Sequence, residues 1–142
     1  MTKMIRVDFY VHETAGFEAL ALTACRLAEK AFMSAQRVFI HTDSEDFARR
    51  LDERLWTFHD RSFVPHAIAG ARSDVPVLIG YGEPPAEGFD LLINIAPQVP
   101  DFYERSARVA DLVDADTTRR EQGRERYRYY REHGITPETH KL

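Results

Sequence analysis

A single Rossmann-like α/β domain, with a mostly parallel sheet and helices on both of its faces, is the fold this sequence predicts, on three observations. Strand-like segments alternate along the chain with segments of helical period. Two of the strand segments, Pro76-Val77-Leu78-Ile79-Gly80 and Phe89-Asp90-Leu91-Leu92-Ile93-Asn94, are nearly continuous apolar runs, the pattern of strands covered from both sides. The length of 142 residues suits one domain, residues 1–142, and is short for two.

The elements follow in order. Ile5-Arg6-Val7-Asp8-Phe9-Tyr10 alternates apolar and polar residues until its end, as a strand does. From Thr14 to Met33 the apolar residues Phe17, Leu20, Ala21, Ala24, Leu27, Ala28, Ala31 and Phe32 recur at three- and four-residue steps, which predicts a long amphipathic helix. Arg37-Val38-Phe39-Ile40-His41 reads as a second strand. Asp43 or Ser44 then caps a second helix, in which Phe47, Leu51 and Leu55 share one face. No period holds between Phe58 and Asp74, so this stretch reads as an ordered loop. The two apolar runs come next, joined by a turn at Pro84-Pro85-Ala86-Glu87-Gly88. Asp101 to Ser106 reads as a helical turn or short helix, and Arg108 to Val113 as a further strand. A last helix starts near Thr118, where Thr118 and Glu121 form a capping-box pattern, and ends near Gly134. The residues after Gly134 read as a short extended or loosely held tail.

Composition excludes several classes of function. With 44% hydrophobic and 30% charged residues the chain resembles soluble globular proteins and not disordered ones. No apolar run approaches ~18 residues, and Met1-Thr2-Lys3-Met4 leads straight into the first strand, so neither a membrane span nor a signal peptide is expected and the cytoplasm is the expected location. The single cysteine, Cys25, rules out an internal disulfide and a multi-cysteine zinc site; on the apolar helix face it reads as a buried structural thiol. A net charge of -4 argues against general binding to polyanions, which depends on many Lys and Arg contacts to phosphate.

Enzymatic and cofactor chemistry finds little to hold. A nucleotide site in such a fold needs glycines after the first strand, so that phosphate can reach the helix N-terminus, whereas this turn reads Val11-His12-Glu13-Thr14-Ala15-Gly16. One glycine beside a glutamate is a poor phosphate cradle; there is no nucleotide-binding motif, and no cofactor is expected. The histidines at 12, 41, 59, 66, 133 and 140 do not pair at metal-binding helix spacing with one another or with Cys25. His41 and Asp43 fall at the end of the second strand, where many α/β enzymes keep their catalytic groups. The same two residues also read simply as a strand end and a helix cap. An uncharacterised α/β enzyme using His41 and Asp43 therefore stands as one alternative.

The last helix carries the strongest signal. Residues 119–131 hold six arginines against two glutamates, so this segment carries +4 in a chain whose total is -4. At helical spacing Arg120, Arg124, Tyr127, Arg128 and Arg131 project together as a basic, tyrosine-lined stripe. Such a stripe is a solvated face, a nucleic-acid surface with arginine on phosphate and tyrosine stacked on bases, or a clamp for an acidic peptide. Its narrowness and the net negative chain favour the peptide, with a direct DNA-binding module as the second alternative. Leu51-Asp52-Glu53-Arg54-Leu55-Trp56, followed by Phe63-Val64-Pro65, is a second feature. Trp56, the only tryptophan, lies beside and not on its helix's four-step apolar stripe, so it reads either as packing against the loop or as a protein-contact residue.

These segments carry a resemblance. Leu51-Asp52-x-x-Leu55-Trp56, then Ser62-Phe63-Val64-Pro65-His66 with Ala69-Gly70, then Arg124-Glu125-Arg126-Tyr127-x-x-Tyr130-Arg131 resemble, in that order and spacing, the chi subunit family of the bacterial DNA polymerase III clamp loader. The likeness runs from Ile5 to the final helix. It implies a Rossmann-like fold without nucleotide chemistry and a non-catalytic adaptor in DNA replication, linking the psi subunit to the acidic C-terminal tail of single-stranded DNA-binding protein. By matching position, the tail site would comprise Val113, Arg120, Arg124, Tyr127 and Arg128. Trp56 and Phe63 would contact psi in a 1:1 heterodimer, or a repair helicase at the same surface; strong direct DNA binding is not expected. Two departures bear on the tail site. Gly123 should weaken the last helix by ~1 kcal/mol relative to alanine. Asp114 and Asp116 place negative charge near an anion pocket while favouring the helix N-terminus.

Overall fold

The computed structural model describes residues 4–57, 64–68, 75–85 and 88–142. Among these residues seven strands form one sheet: β1 (Arg6–Val11), β2 (Val38–Thr42), β3 (His66–Ile68), β4 (Val77–Tyr81), β5 (Leu91–Asn94), β6 (Arg108–Val113) and β7 (Glu138–Lys141). Their order is β3-β4-β2-β5-β6-β1-β7, and every pairing is parallel. The α-helices that connect them are α1 (Phe17–Met33), α2 (Glu45–Thr57) and α3 (Thr117–Glu132), with a 3₁₀ turn at Tyr103–Arg105.

The two-residue period of the strands divides the core between two faces. Val38, Ile40, Val77, Ile79, Leu91, Ile93, Ala110 and Leu112 point one way and pack beneath α1 and α2, against Leu20, Ala24, Ala28 and Leu51. Their neighbours Phe39, Leu78, Leu92 and Val109 point the other way, with Val7 and Phe9 of β1, and pack against Tyr103 and Tyr130. The central strands are buried on both sides, which is why β4 and β5 read as unbroken apolar runs. Cys25 sits in the first of these cores, where burial pushes its thiol up to about 12.

Two sequence expectations change and a third, the short extended tail, becomes definite. The stretch expected to be a loop contains β3, a three-residue strand too short for any periodicity to register; residues 58–63 and 69–74 of that stretch lie outside the described residues. The tail after Gly134 contains β7, whose residues Glu-Thr-His-Lys have no apolar pattern because the strand is an edge held through backbone pairing with β1. The last helix begins one residue earlier than expected and its cap is Asp116, whose carboxylate accepts from the Arg119 N–H at 3.0 Å, in place of Thr118 with Glu121. Ser44, one of the two proposed caps of α2, accepts from the Phe47 N–H at 3.1 Å.

Candidate functional site: an arginine-rimmed cleft

α3 lies over β6 and the C-terminal half of β1, and a cleft of about 210 Å³ opens between the helix and the sheet. Phe9 and Val11 of β1, with Val113 of β6, give it an apolar floor. Arg120, Gly123, Arg124 and Tyr127 of α3 form one wall, and Thr139 of β7 stands at the far side. Four of the five residues expected to hold an acidic tail, Val113, Arg120, Arg124 and Tyr127, thus meet around one cavity. Arg128 points outward instead, pairs with Glu125 at 2.9 Å, and borders a shallower depression that it shares with Arg124.

Gly123 explains how the helix comes so close. A Cβ built at this position would stand 3.0 Å from Cγ2 and 3.2 Å from Cγ1 of Val113, tighter than ordinary packing. The residue that costs helix propensity is therefore the one that lets α3 settle onto Val113 and shape the cleft.

The arginines of the last helix have separate fates. Arg126 is buried and grips Asp111 of β6 through two nitrogens while a third donates to Pro97 O at 2.8 Å. Arg119 grips the buried Asp114 with Nε at 2.8 Å and Nη2 at 2.6 Å. Arg120 Nη2 donates to His12 O at 3.1 Å and Nε to Asp114 O at 3.4 Å, so backbone carbonyls steady it at the cleft mouth, and it forms no ion pair among the described residues. Arg124 is exposed and makes no ion pair or hydrogen bond among the described residues. The cleft thus combines an apolar floor with two cations that have no carboxylate partner among the described residues, which suits a ligand carrying both an apolar group and a negative charge.

Asp114 does not repel such a ligand. Its carboxylate is spent on Arg119 and on the Gly16 N–H, at 2.7 Å. Burial alone would raise this carboxyl, but the hydrogen bonds from Arg119 and Gly16 outweigh it and hold the group below the usual carboxylate range. Gly16 precedes α1 at a φ of 111°, a backbone region that favours glycine, so a carboxylate of the chain itself sits where a phosphate would sit in a nucleotide-binding member of this fold class. The neighbouring crevice at the carboxyl end of the sheet is lined by Asp43, Asp114 and Asp116 beside Arg119, a poor setting for phosphate.

Sequence reasoning missed His12. Its ring and its main-chain N–H both meet Val113 O, at 2.9 and 2.8 Å, and its Nε2 lies 2.6 Å from Thr23 Oγ1 on α1. A carbonyl can only accept, so Nδ1 carries a proton. One residue thereby fixes Val113 on the cleft floor and, through its carbonyl, Arg120 at the rim.

Elsewhere the expectations separate. His41 is buried against Phe39 and Phe102, its Nδ1 has no hydrogen-bond partner among the described residues, and burial lowers its pKa; Asp43 is exposed and no hydrogen bond joins the two. Asp8, Glu138 and His140 come within 4.8 Å of one another through their ligand atoms, a grouping across β1 and β7 that the sequence spacing did not announce. The Asp8 carboxylate is already held by Arg6 at 3.1 Å, Arg108 at 3.0 Å and His140 at 2.9 Å, which leaves it poorly placed to ligate a cation. Trp56 is 55% exposed at the end of α2, its ring 4.6 Å from that of His66. Phe63, its expected companion, lies outside the described residues.

Fold and cleft together define a parallel α/β domain of Rossmann-like class with a cleft that combines arginine charge with an apolar floor. Residues 4–138 match the family model described as DNA polymerase III chi subunit, HolC, and the chain belongs to that family. It is 42% identical to the DNA polymerase III subunit chi of Pseudomonas aeruginosa, with 98% of each chain covered. The subunit chi of Escherichia coli is 34% identical over 87% of this chain and 86% of its own. Among solved structures the chain is similar in fold to the C-terminal domain of the DEAD-box protein Dbp5, with a TM-score of 0.66 at 11% identity, covering 96% of this chain and 91% of that one. It is likewise similar to T4 UvsW, with a TM-score of 0.65 at 10% identity over 96% of this chain and 42% of that one. Among the described residues no helix is long and apolar enough to cross a membrane.

Proposed function

We propose that this chi-family chain is a non-catalytic adaptor of the cytoplasmic replication machinery, which holds the acidic C-terminal tail of single-stranded DNA-binding protein in the α3 cleft and the psi subunit at the Trp56 surface. The observation that carries the reading is the pairing of Arg120 and Arg124, without carboxylate partners among the described residues, with the apolar floor of Phe9, Val11 and Val113. A peptide ending in an aromatic residue offers the matching pair of groups: a ring for the floor and a carboxylate for an arginine fork. Trp56 supports the second contact, since a largely exposed tryptophan at a helix end is the kind of side chain that anchors protein interfaces. The same surface suits a repair helicase in place of psi.

A titration tests the cleft. A fluorescent acidic peptide ending in phenylalanine should bind under conditions where a single-stranded oligonucleotide of equal charge does not. Preference for the oligonucleotide would instead make the basic stripe a direct DNA-binding surface.

A further inference from the structure

The cleft opens onto an unfinished sheet. Among the described residues β7 is the last strand in the order and pairs with β1 alone. Leu142 N–H donates to Val11 O at 2.9 Å, and alternate residues of a parallel strand bond to the same neighbour, so Glu138 and His140 also face β1. The peptide groups of Thr139 and Lys141 consequently face the open edge. Thr139 also lines the cleft with its side chain, opposite Arg124 and Tyr127. One residue therefore belongs both to the wall of the cleft and to the row of unused backbone groups.

We propose that the open edge of β7 receives the stretch of the acidic tail just upstream of its anchored end, which adds as an eighth strand through the peptide groups of Thr139 and Lys141. The inference rests on the tail-binding reading of the cleft and extends it from an end-group pocket to a strand-addition site. Two observations favour this occupant over a second copy of the chain or an unrelated strand. The edge is continuous with the cleft through Thr139, so a peptide anchored there has its preceding residues beside β7. The charge also fits. Lys141 shares the cleft face of the sheet with Val11, its register partner, and forms no ion pair among the described residues. Glu138, at the other end of the strand, is drawn to Arg6 at 3.6 Å. Acidic side chains flanking the added strand would meet Lys141, Arg120 and Arg124. In strand addition the main-chain bonds supply affinity largely independent of side chains, so the acidic side chains of the tail need no pockets of their own. A self-pairing copy would bring Lys141 and the basic rim of one chain against those of another, at an electrostatic cost.

The test uses the full chain and two synthetic peptides, one of about nine residues, acidic and ending in phenylalanine with a free carboxylate, the other its last four residues. Saturation with the long peptide should slow amide exchange at Thr139 and Lys141 about tenfold, and the long peptide should bind about fivefold more tightly than the short one. N-methylation of one alternating set of upstream peptide amides should abolish that gain, while methylation of the other set should leave it. Tight binding of the short peptide, with unchanged exchange at Thr139 and Lys141 and tolerance of methylation at every upstream position, would overturn strand addition and leave the cleft reading standing. Failure of both peptides to bind would overturn the cleft reading and this one with it.

Discussion

Arg126 and Asp111 form a buried two-pronged contact, Nε to Oδ2 at 2.8 Å and Nη2 to Oδ1 at 2.7 Å, that fastens α3 to the middle of β6. Burial drives the Asp111 carboxyl upward while the Arg126 fork and the Asn94 amide oppose that drive. Loss of one partner would leave a charge buried without compensation. Arg126→Ala should therefore destabilise the fold by about 3–5 kcal/mol in urea unfolding, whereas joint replacement of Arg126 and Asp111 by apolar residues of similar volume should recover most of that loss. An Arg126→Ala protein as stable as wild type would mean that the pair does not hold the helix.

Gly123 makes opposite demands on helix propensity and packing. In an exposed helix, glycine to alanine gains about 1 kcal/mol. Here the new methyl group would press on Val113, so Gly123→Ala should lower the melting temperature and weaken peptide binding together as α3 lifts from the sheet. A raised melting temperature with unchanged binding would show that Val113 yields without cost.

Acid sensitivity should trace to two buried carboxylates. At Asp8, burial raises the pKa, but the hydrogen bonds from His140, Arg108 and Arg6 outweigh it, and the net shift is downward, as at Asp114. A folded-state pKa below the unfolded value contributes stability that is fully present above the unfolded value of about 3.9 and is lost as pH falls through the folded one. Stability should accordingly decline as pH drops below about 4, and Asp114→Asn should flatten that decline while lowering stability at neutral pH. Urea midpoints measured from pH 7 downward for both proteins decide the matter.

Trp56→Ala should leave the fold intact, because more than half of the residue is exposed. It should weaken capture of psi by about 2 kcal/mol or more, the scale of an interface anchor. Circular dichroism of the variant alongside a pull-down separates the two roles, and an unfolded variant would assign Trp56 to the core beside His66.

The fold was legible where periodicity had room to act. α1 and the doubly covered strands β4 and β5 each carry enough apolar residues to declare both type and face. β3 and β7 are short or polar, and what makes them strands is a neighbour's backbone, distant in sequence: β7 pairs with a strand about 130 residues earlier. The candidate site divides in the same way. Helical spacing brings Arg120, Arg124 and Tyr127 to one face, but nothing in the segment tells Arg126 from Arg124. That distinction depends on Asp111 facing α3 across the sheet, and β6 register sets it. Thr139, Phe9 and Val11 join the cleft through sheet order alone, and His12 through a hydrogen bond spanning 101 residues.

Arg124 is the residue on which the tail-binding reading turns. It stands one helical turn from Arg120 and beside Tyr127, on the rim of the cleft and without an internal partner among the described residues, so its fork is available to a ligand carboxylate. Arg120 is held by two backbone carbonyls and contributes a fixed charge, while Arg128 is engaged with Glu125 outside the cavity. Arg124→Ala should therefore weaken binding of the acidic, phenylalanine-terminated peptide by about 2 kcal/mol or more, the loss expected when a charge-assisted contact is removed. Its exposure predicts almost no change in melting temperature. Arg124→Lys should restore only part of the affinity, since an ammonium cannot reproduce two parallel hydrogen bonds. Val113→Ala should act differently, reducing affinity through the apolar floor with little effect on its salt dependence, whereas the Arg124 contribution should shrink as salt rises. Calorimetric titrations of the three variants at two salt concentrations separate these effects. Wild-type affinity in Arg124→Ala would leave the basic stripe a solvated helix face.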